Sequence, residues 1–219
     1  MYTEKIEMLI NGRWCQGSEG KTQPLINPAT EEVLTDVPHA SEGDLEEAIQ
    51  ASADGFKVWR DLTPLARQSI MEKAARLMED RIDDIAKTLT LEMGKPLAEA
   101  KIEMGFVIDV TRWYGEEGKR SYGRLVPARM PGVRQMVVKE PVGPACAFVA
   151  WNFPGTNVIR KVAGALAAGC SMLIKPSEET PGTAVAIARC FQDAGLPKVH
   201  VWLLSVGDSY VLGAVRKSL

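Results

Sequence analysis

Polar and aromatic residues follow directly after two short apolar runs in the second half of this 219-residue chain. The tetrad Trp151–Pro154 (Trp-Asn-Phe-Pro) follows the run 145–150, and the tetrad Lys175–Glu178 (Lys-Pro-Ser-Glu) follows the run 171–174. Ligands of open α/β sheets lie at the carboxyl ends of the strands. Because parallel strands bring those ends to one edge, we expect the two tetrads to lie together and to form a ligand site.

The side chains of the two tetrads suit the recognition of an oxyanion and of sugar hydroxyls. Asn152 offers an uncharged amide donor, which can stabilise negative charge that develops on a substrate oxygen. Lys175 offers three donors and Glu178 two acceptor oxygens, so that together they can bracket the hydroxyls of a ribose. The alternative is structural, with Asn152 turning the chain and Lys175 pairing with Glu178 at the surface.

The elements that position these tetrads follow from the apolar pattern. The unbroken run 145–150 predicts a parallel strand buried on both faces, and 171–174 predicts the next strand. A helix follows each strand, over 157–168 and from Pro181 to Gly195. This strand–helix–strand–helix order predicts parallel strands joined by a right-handed crossover.

The first 120 residues predict hairpins followed by amphipathic helices. Asn11–Gly12 is a strong signal for a two-residue hairpin turn. Ser41, with an acidic partner three residues on, begins a helix with a capping box. Pro64 opens a second helix, whose apolar face continues in phase to Leu89. A further helix is predicted over 97–118.

Residues 122–141 contain two extended segments around Pro131 and predict a protruding β-hairpin. Isolated two-stranded hairpins are marginally stable in water, which favours a hairpin that contacts another subunit. The alternative is a surface hairpin that lies on its own domain.

Composition narrows the function classes. The chain is 46% hydrophobic and 25% charged, as in an ordinary globular protein, and its net charge of −2 argues against a nucleic-acid or anionic-membrane surface. No run of apolar residues is long enough to span a membrane, and the N-terminus lacks the order of a signal peptide. Four scattered cysteines predict free thiols in the cytoplasm, and two isolated histidines give no metal signature.

Both tetrads, together with other short segments, resemble the NAD(P)-dependent aldehyde dehydrogenase superfamily. The resemblance covers about residues 8–198, after which the register with the family is lost, and it is most specific to the succinate-semialdehyde dehydrogenases. The superfamily-wide segments are Trp151–Pro154, Lys175–Glu178, Ala165–Gly169, Asn27–Thr30, Glu92–Pro96 and Ala194–Pro197. The segments similar to the subgroup are Trp113–Arg120 and Ile159–Lys161.

This resemblance implies roles for individual residues toward the substrate. Asn152 matches the family's oxyanion-hole amide, which holds the aldehyde oxygen during attack by a thiolate. Arg160 matches an arginine that binds the distal carboxylate of a semialdehyde, and a guanidinium is well shaped for that contact. The alternative for Arg160 is an arginine on a helix surface.

Cofactor roles are implied in the same way. Lys175 and Glu178 match the residues that bind the adenosine ribose, and the charge of Glu178 disfavours a 2′-phosphate, so the expected cofactor is NAD in preference to NADP. Ala150, Trp151 and Pro176 match positions at the cofactor cleft. The family usually has proline where this chain has Ala150.

The implied fold is α/β, with an incomplete Rossmann-like parallel sheet, N-terminal helices and an arm through which the family forms homo-oligomers. The expected divisions are 1–121 for the hairpins and helices of the cofactor-binding domain, 122–141 for the arm, and 142–219 for the first part of the NAD-binding domain.

The family's cysteine nucleophile and general-base glutamate are expected beyond Leu219, in a catalytic domain absent from this chain. We therefore expect an N-terminal fragment that is inactive alone. Residues 199–206 predict a strand outside the family register. Two other functions stay open: a non-catalytic NAD-binding or assembly module, and a thiol enzyme that uses Cys15 or Cys146.

Overall fold

The computed structural model describes residues 1–198 and the backbone of residues 201–202. These residues form nine strands and six helices, which alternate only from β7 onward. The strands are β1 (Met8–Ile10), β2 (Arg13–Cys15), β3 (Thr22–Ile26), β4 (Val33–Pro38), β5 (Arg124–Pro127), β6 (Arg134–Val137), β7 (Ala145–Phe148), β8 (Met172–Lys175) and β9 (Val201–Trp202). The helices are α1 (Glu42–Arg60), α2 (Pro64–Asp80), α3 (Ile82–Met93), α4 (Leu97–Gly118), α5 (Pro154–Ala168) and α6 (Pro181–Asp193).

The main sheet has five strands in the order β2-β1-β9-β8-β7. β7 pairs with β8 in parallel, as the sequence predicted. β9 pairs with β8 in parallel as well, and β1 joins β9 in antiparallel orientation. All four residues of β8 are buried. β7 differs from the expectation of burial on both faces: it ends at Phe148, which is 43% exposed, because β7 is an edge strand in the described sheet.

Local turn chemistry explains the two N-terminal hairpins. Asn11 and Gly12 have φ values of 51° and 74°, the left-handed pair that a two-residue type I′ turn requires. Between β3 and β4, the Asn27 side-chain oxygen accepts a hydrogen bond of 2.9 Å from the Ala29 backbone N–H. The predicted turn at Asn11–Gly12 is confirmed.

The first two helices begin where their capping residues predict. Ser41 and Asp44 form the predicted capping box of α1, and the Thr63 side chain accepts a hydrogen bond from the backbone of the first turn of α2. The prediction that one apolar helix face continues from Pro64 to Leu89 was wrong, since α2 ends at Asp80 and α3 begins at Ile82. The apolar residues of α3 continue the helical spacing of those of α2. The apolar pattern therefore gives no sign of the break between the two helices.

The core lies between α2, α4, α5 and α6 and the inner face of the sheet. Fully burying a side chain such as Phe191 or Leu166 contributes about 1.5–3 kcal/mol. Trp59 of α1 is also fully buried, and its indole N–H donates to the Leu166 carbonyl at 2.9 Å. This bond ties α1 to α5, the helix that follows the first tetrad.

The predicted arm, residues 122–141, is exposed along most of its length. β5 and β6 pair antiparallel from Arg124 opposite Val137 to Pro127 opposite Arg134, which confirms the predicted hairpin. Its apolar side chains face solvent in this chain, Met136 at 76% exposure among them. An oligomer contact through the arm, and domain boundaries on either side of it, stay predictions. Among the described residues, no helix combines the length and apolarity that crossing a bilayer requires.

Candidate functional site

The two tetrads leave the sheet at the same edge. β7 and β8 are in register with Phe148 opposite Lys175, and the Val149 N–H donates to the Lys175 carbonyl at 3.0 Å. Asn152 therefore follows the end of β7 by four residues, while Lys175 is the last residue of β8. The expectation that they share one sheet edge is confirmed.

Asn152 and Arg160 line one groove of about 620 Å³ between α4 and the start of α5. The Asn152 side-chain oxygen accepts a 3.3 Å hydrogen bond from the Asn157 side-chain amide. The Arg160 guanidinium lies 5.3 Å from the centre of the Phe106 ring, which is a cation–π contact. The groove thus combines an amide, a cation and an apolar wall, a combination that suits a small polar organic ligand.

Lys175 and Glu178 form an ion pair of 3.1 Å. The pair is not a freely exposed one, because the Lys175 side chain is only 11% exposed while that of Glu178 is 33% exposed. The Glu178 carboxylate therefore remains partly accessible, whereas the Lys175 side chain beside it is held by packing. Of the other expected cofactor residues, Ala150 and Trp151 are exposed and Pro176 is buried.

Buried polar groups behind the first tetrad were missed by the sequence analysis. One Glu103 carboxylate oxygen accepts the backbone N–H groups of Gly155 and Thr156, both at 3.0 Å. The other oxygen accepts from the Lys95 ammonium at 2.5 Å. Lys95 also lies 4.2 Å from the centre of the Phe153 ring. This cluster holds the first turn of α5, two residues beyond Asn152.

A second buried glutamate stands behind the second tetrad. The Glu92 carboxylate accepts the backbone N–H groups of Gly182 and Thr183 at 2.6 and 3.0 Å, the Thr183 hydroxyl at 3.0 Å and the Tyr2 hydroxyl at 2.7 Å. Burial raises the pKa of Glu92 to about 7, against the effect of these donors, which lower it. The pKa of Tyr2 is also raised, chiefly by burial.

A sequence signal for both glutamates was present. α5 and α6 each begin with the tripeptide Pro-Gly-Thr, at 154–156 and 181–183. Neither helix has a side-chain cap of its own at the preceding residue, Phe153 or Thr180. Unsatisfied N–H groups at a buried helix start require a partner from elsewhere in the fold.

None of the four cysteines lines the groove. Cys170 and Cys190 are buried, and Cys15 and Cys146 are partly buried. Burial raises the pKa of Cys190 to about 11 and also raises those of Cys15 and Cys146. Raised thiol pKa values oppose nucleophilic attack at neutral pH. No group of potential metal ligands is found within the described part of the chain.

Comparison with protein families gives a match to the aldehyde dehydrogenase family over residues 14–215. The match extends past residue 198, where we expected the resemblance to end. The two site tetrads and the motif that contains Glu92 all fall inside it.

Individual relatives agree with this match. The glutarate-semialdehyde dehydrogenase of Pseudomonas aeruginosa is 40% identical over 189 residues, which are 86% of this chain and 39% of that protein. The succinate-semialdehyde dehydrogenase [NADP(+)] of Escherichia coli is 40% identical over 87% of this chain and 40% of its own length. This chain thus spans about two fifths of these relatives.

A solved structure shares the fold. The betaine aldehyde dehydrogenase of Staphylococcus aureus, solved in complex with NAD+, superposes with a TM-score of 0.91 at 29% identity. The superposition covers 95% of this chain and 43% of that one.

Proposed function

Because this chain belongs to the aldehyde dehydrogenase family, we propose that it supplies the cofactor-binding half and the oxyanion amide of an enzyme that oxidises an aldehyde to a carboxylic acid with NAD(P)+. The observation that carries the proposal is the shared sheet edge, which brings the Asn152 and Lys175 segments to adjacent strand ends. The bound cofactor would supply the hydride acceptor of the reaction.

For the cofactor, we propose that Lys175 and Glu178 hold the ribose hydroxyls. The residues fit this task, since the buried lysine is a fixed donor and the partly exposed carboxylate is an acceptor. Ala150, Trp151 and Pro176 border the same cleft. NAD is the preferred cofactor, because a 2′-phosphate would place like charge beside Glu178.

For the substrate, we propose a semialdehyde, such as succinate semialdehyde, with a carboxylate at its far end. The Asn152 amide would donate to the aldehyde oxygen as charge develops there, an interaction worth about 2.7–4 kcal/mol in comparable oxyanion holes. The guanidinium of Arg160, in the same groove and stacked on Phe106, would bind the distal carboxylate. The names of the two relatives, both semialdehyde dehydrogenases, support this choice.

The cofactor proposal is tested by calorimetric titration of the purified chain with NAD. Lys175→Ala removes charge-assisted hydrogen bonds, worth about 1.5–3 kcal/mol, so Kd should rise by about 10- to 150-fold. Lys57→Ala is the matched control, because the Lys57 side chain is 70% exposed and pairs with Asp54 on the surface of α1. Equal affinity of the Lys175→Ala and Lys57→Ala variants would count against the site.

The substrate proposal is tested with succinate as an unreactive dicarboxylate probe. Arg160→Gln should abolish the saturable binding of succinate, whereas Arg76→Gln, on an exposed face of α2, should leave it unchanged. Succinate binding that survives Arg160→Gln would remove the assigned role of this arginine.

The exposed arm favours an assembly role in addition to cofactor binding. Leu125, Met136 and Val138 are 60–76% exposed on residues 122–141, which is unfavourable for an isolated hairpin. We propose that the arm contacts a second copy of the chain. Met136→Glu should dissociate the oligomer in sedimentation velocity, whereas Leu65→Glu, at an exposed site on α2, should not. A monomeric unaltered chain would contradict this proposal.

A further inference from the structure

Two buried glutamates, Glu92 and Glu103, reach from the α3–α4 layer to the first turns of the helices that follow the site tetrads. We infer that they are positioning residues: Glu103 fixes the segment that carries Asn152, and Glu92 fixes the segment that carries Lys175 and Glu178. The inference rests on the proposed function, which gives those segments their ligands.

The hydrogen bonds of Glu103 are directed at the start of α5. The first N–H groups of a helix have no partner within it and carry partial positive charge. Glu103 is 5% exposed and accepts two of these groups, from Gly155 and Thr156, while Lys95 neutralises the carboxylate. Because Asn152 precedes this turn by only two residues, a shift of the turn shifts the amide.

Glu92 has the equivalent place at α6. It is 3% exposed and accepts the N–H groups of Gly182 and Thr183. Glu178 lies four residues before Gly182, and the Thr180 N–H donates to the Ser177 carbonyl at 3.3 Å, which makes the intervening segment short and closed. The position of this helix start therefore sets the position of the ribose-binding pair.

The glycine in each Pro-Gly-Thr tripeptide makes room for the carboxylate. A Cβ atom at Gly182 would clash with the Tyr2 hydroxyl and would lie 2.5 Å from the Glu92 carboxylate oxygen that this hydroxyl contacts. One at Gly155 would lie 3.0 Å from Val107 and 3.3 Å from Glu103. A side chain at residue 182 therefore cannot be accommodated without moving both Glu92 and Tyr2. Glycine at this position is explained by the room that these two groups need, because glycine itself is a poor helix former.

Both glutamates belong to one layer. Glu92 lies in the last turn of α3 and Glu103 in the second turn of α4, with residues 94–96 between the helices. A single pair of packed helices thus defines the spacing between the oxyanion amide and the ribose-binding residues. Caps contributed by α5 and α6 themselves would satisfy the same N–H groups without fixing that spacing.

The test compares Glu92→Gln and Glu103→Gln in the full chain at pH 8, by amide hydrogen exchange in NMR and by NAD titration. In Glu92→Gln the new NH2 group faces a backbone donor, because each oxygen of Glu92 accepts one backbone N–H group. In Glu103→Gln the carboxylate charge is lost, and the NH2 group faces either the two backbone N–H groups or the Lys95 ammonium. Glu92→Gln should lower protection of the Gly182 and Thr183 amides by about 10- to 100-fold, leave the amides of the α5 first turn unchanged, and raise the Kd for NAD about tenfold. Glu103→Gln should lower protection of the Gly155 and Thr156 amides and leave the amides of Gly182 and Thr183 unchanged. It should also shift the Asn152 side-chain amide resonance.

Gly182→Ala provides a second, charge-neutral variant and should reproduce the effects of Glu92→Gln. Its control is Gly105→Ala, where a Cβ atom meets nothing within 4 Å. The inference is overturned if Glu92→Gln and Gly182→Ala fold and keep the affinity of the unaltered chain for NAD. It is also overturned if Glu103→Gln leaves the Asn152 resonance in place. Failure of the unaltered chain to bind NAD would instead refute the proposed function, and this inference with it.

Discussion

The buried ion pair between Lys95 and Glu103 should respond asymmetrically to removal of either partner. Both side chains are less than 10% exposed. In Lys95→Met the carboxylate keeps two backbone N–H donors at a helix N-terminus, so its charge stays compensated. In Glu103→Gln the ammonium stays buried without its anion, and the NH2 group of the amide faces either this ammonium or the backbone donors.

The structure gives an order of magnitude for each variant. Lys95→Met loses one charge-assisted hydrogen bond, about 1.5–3 kcal/mol. Glu103→Gln removes the anion of a buried ion pair, which costs about 3–5 kcal/mol, and adds about 1–3 kcal/mol for the donor that then faces the NH2 group. In the double variant the unpaired ammonium is gone, so it should be more stable than Glu103→Gln alone.

Urea unfolding followed by circular dichroism measures these free energies of unfolding by linear extrapolation. Lys101→Met is the control, since Lys101 pairs with Asp83 at the surface and should cost at most about 1 kcal/mol. Equal costs for Lys95→Met and Glu103→Gln, or a double variant whose cost is the sum of the two, would refute this account of the pair.

Three further outcomes are expected. Iodoacetamide at pH 8 should leave Cys190 unmodified in the folded chain and modify it in urea, because burial raises the pKa of this thiol to about 11; equal labelling in both states would contradict this. Burial raises the pKa of Glu92 from 4.5 to about 7, so the folded state binds the proton more tightly. The contribution of Glu92 to the free energy of unfolding should therefore be largest below pH 4.5, fall by at most about 1.4 kcal/mol per pH unit up to pH 7, and stay constant above it. The Glu92→Gln variant should lack this slope, and an unchanged slope would exclude the assignment. Trp59→Phe removes the indole hydrogen bond to the Leu166 carbonyl, which keeps the Gly169 N–H as a donor, and leaves part of a fully buried ring site empty. It should cost about 1–3 kcal/mol in urea unfolding, against about 0.5 kcal/mol for the exposed Trp113→Phe, and equal costs would contradict the role of the buried indole.

The strand-end placement of the site was predictable because it depends on local signals. Apolar runs, helix-stopping glycines such as Gly169 and the order of elements fix two parallel neighbours, and parallel pairing alone brings Asn152 and Lys175 to one edge. The hairpin turn at Asn11–Gly12 and the capping box at Ser41 were predictable for the same reason, since each is decided within a few residues.

The supports of the site were not predictable from local pattern. Glu103 lies 52 residues from Gly155, and Glu92 lies 90 residues from Gly182. The apolar periodicity of one helix does not predict which distant helix start is contacted by an acidic side chain of that helix. The exposure of Phe148 was missed for a related reason: an apolar run indicates strand burial, but the burial itself depends on which elements flank the strand in space.

The central claim, that the two strand-end segments together bind NAD, is tested most directly by titrating the ¹⁵N-labelled chain with NAD and following its amide resonances. The account predicts saturable shifts confined to the segments 150–153 and 175–178 and to the first turns of α5 and α6, with the arm 122–141 unaffected. Saturable binding that leaves Lys175 and Glu178 unshifted, or shifts that centre elsewhere on the chain, would contradict it.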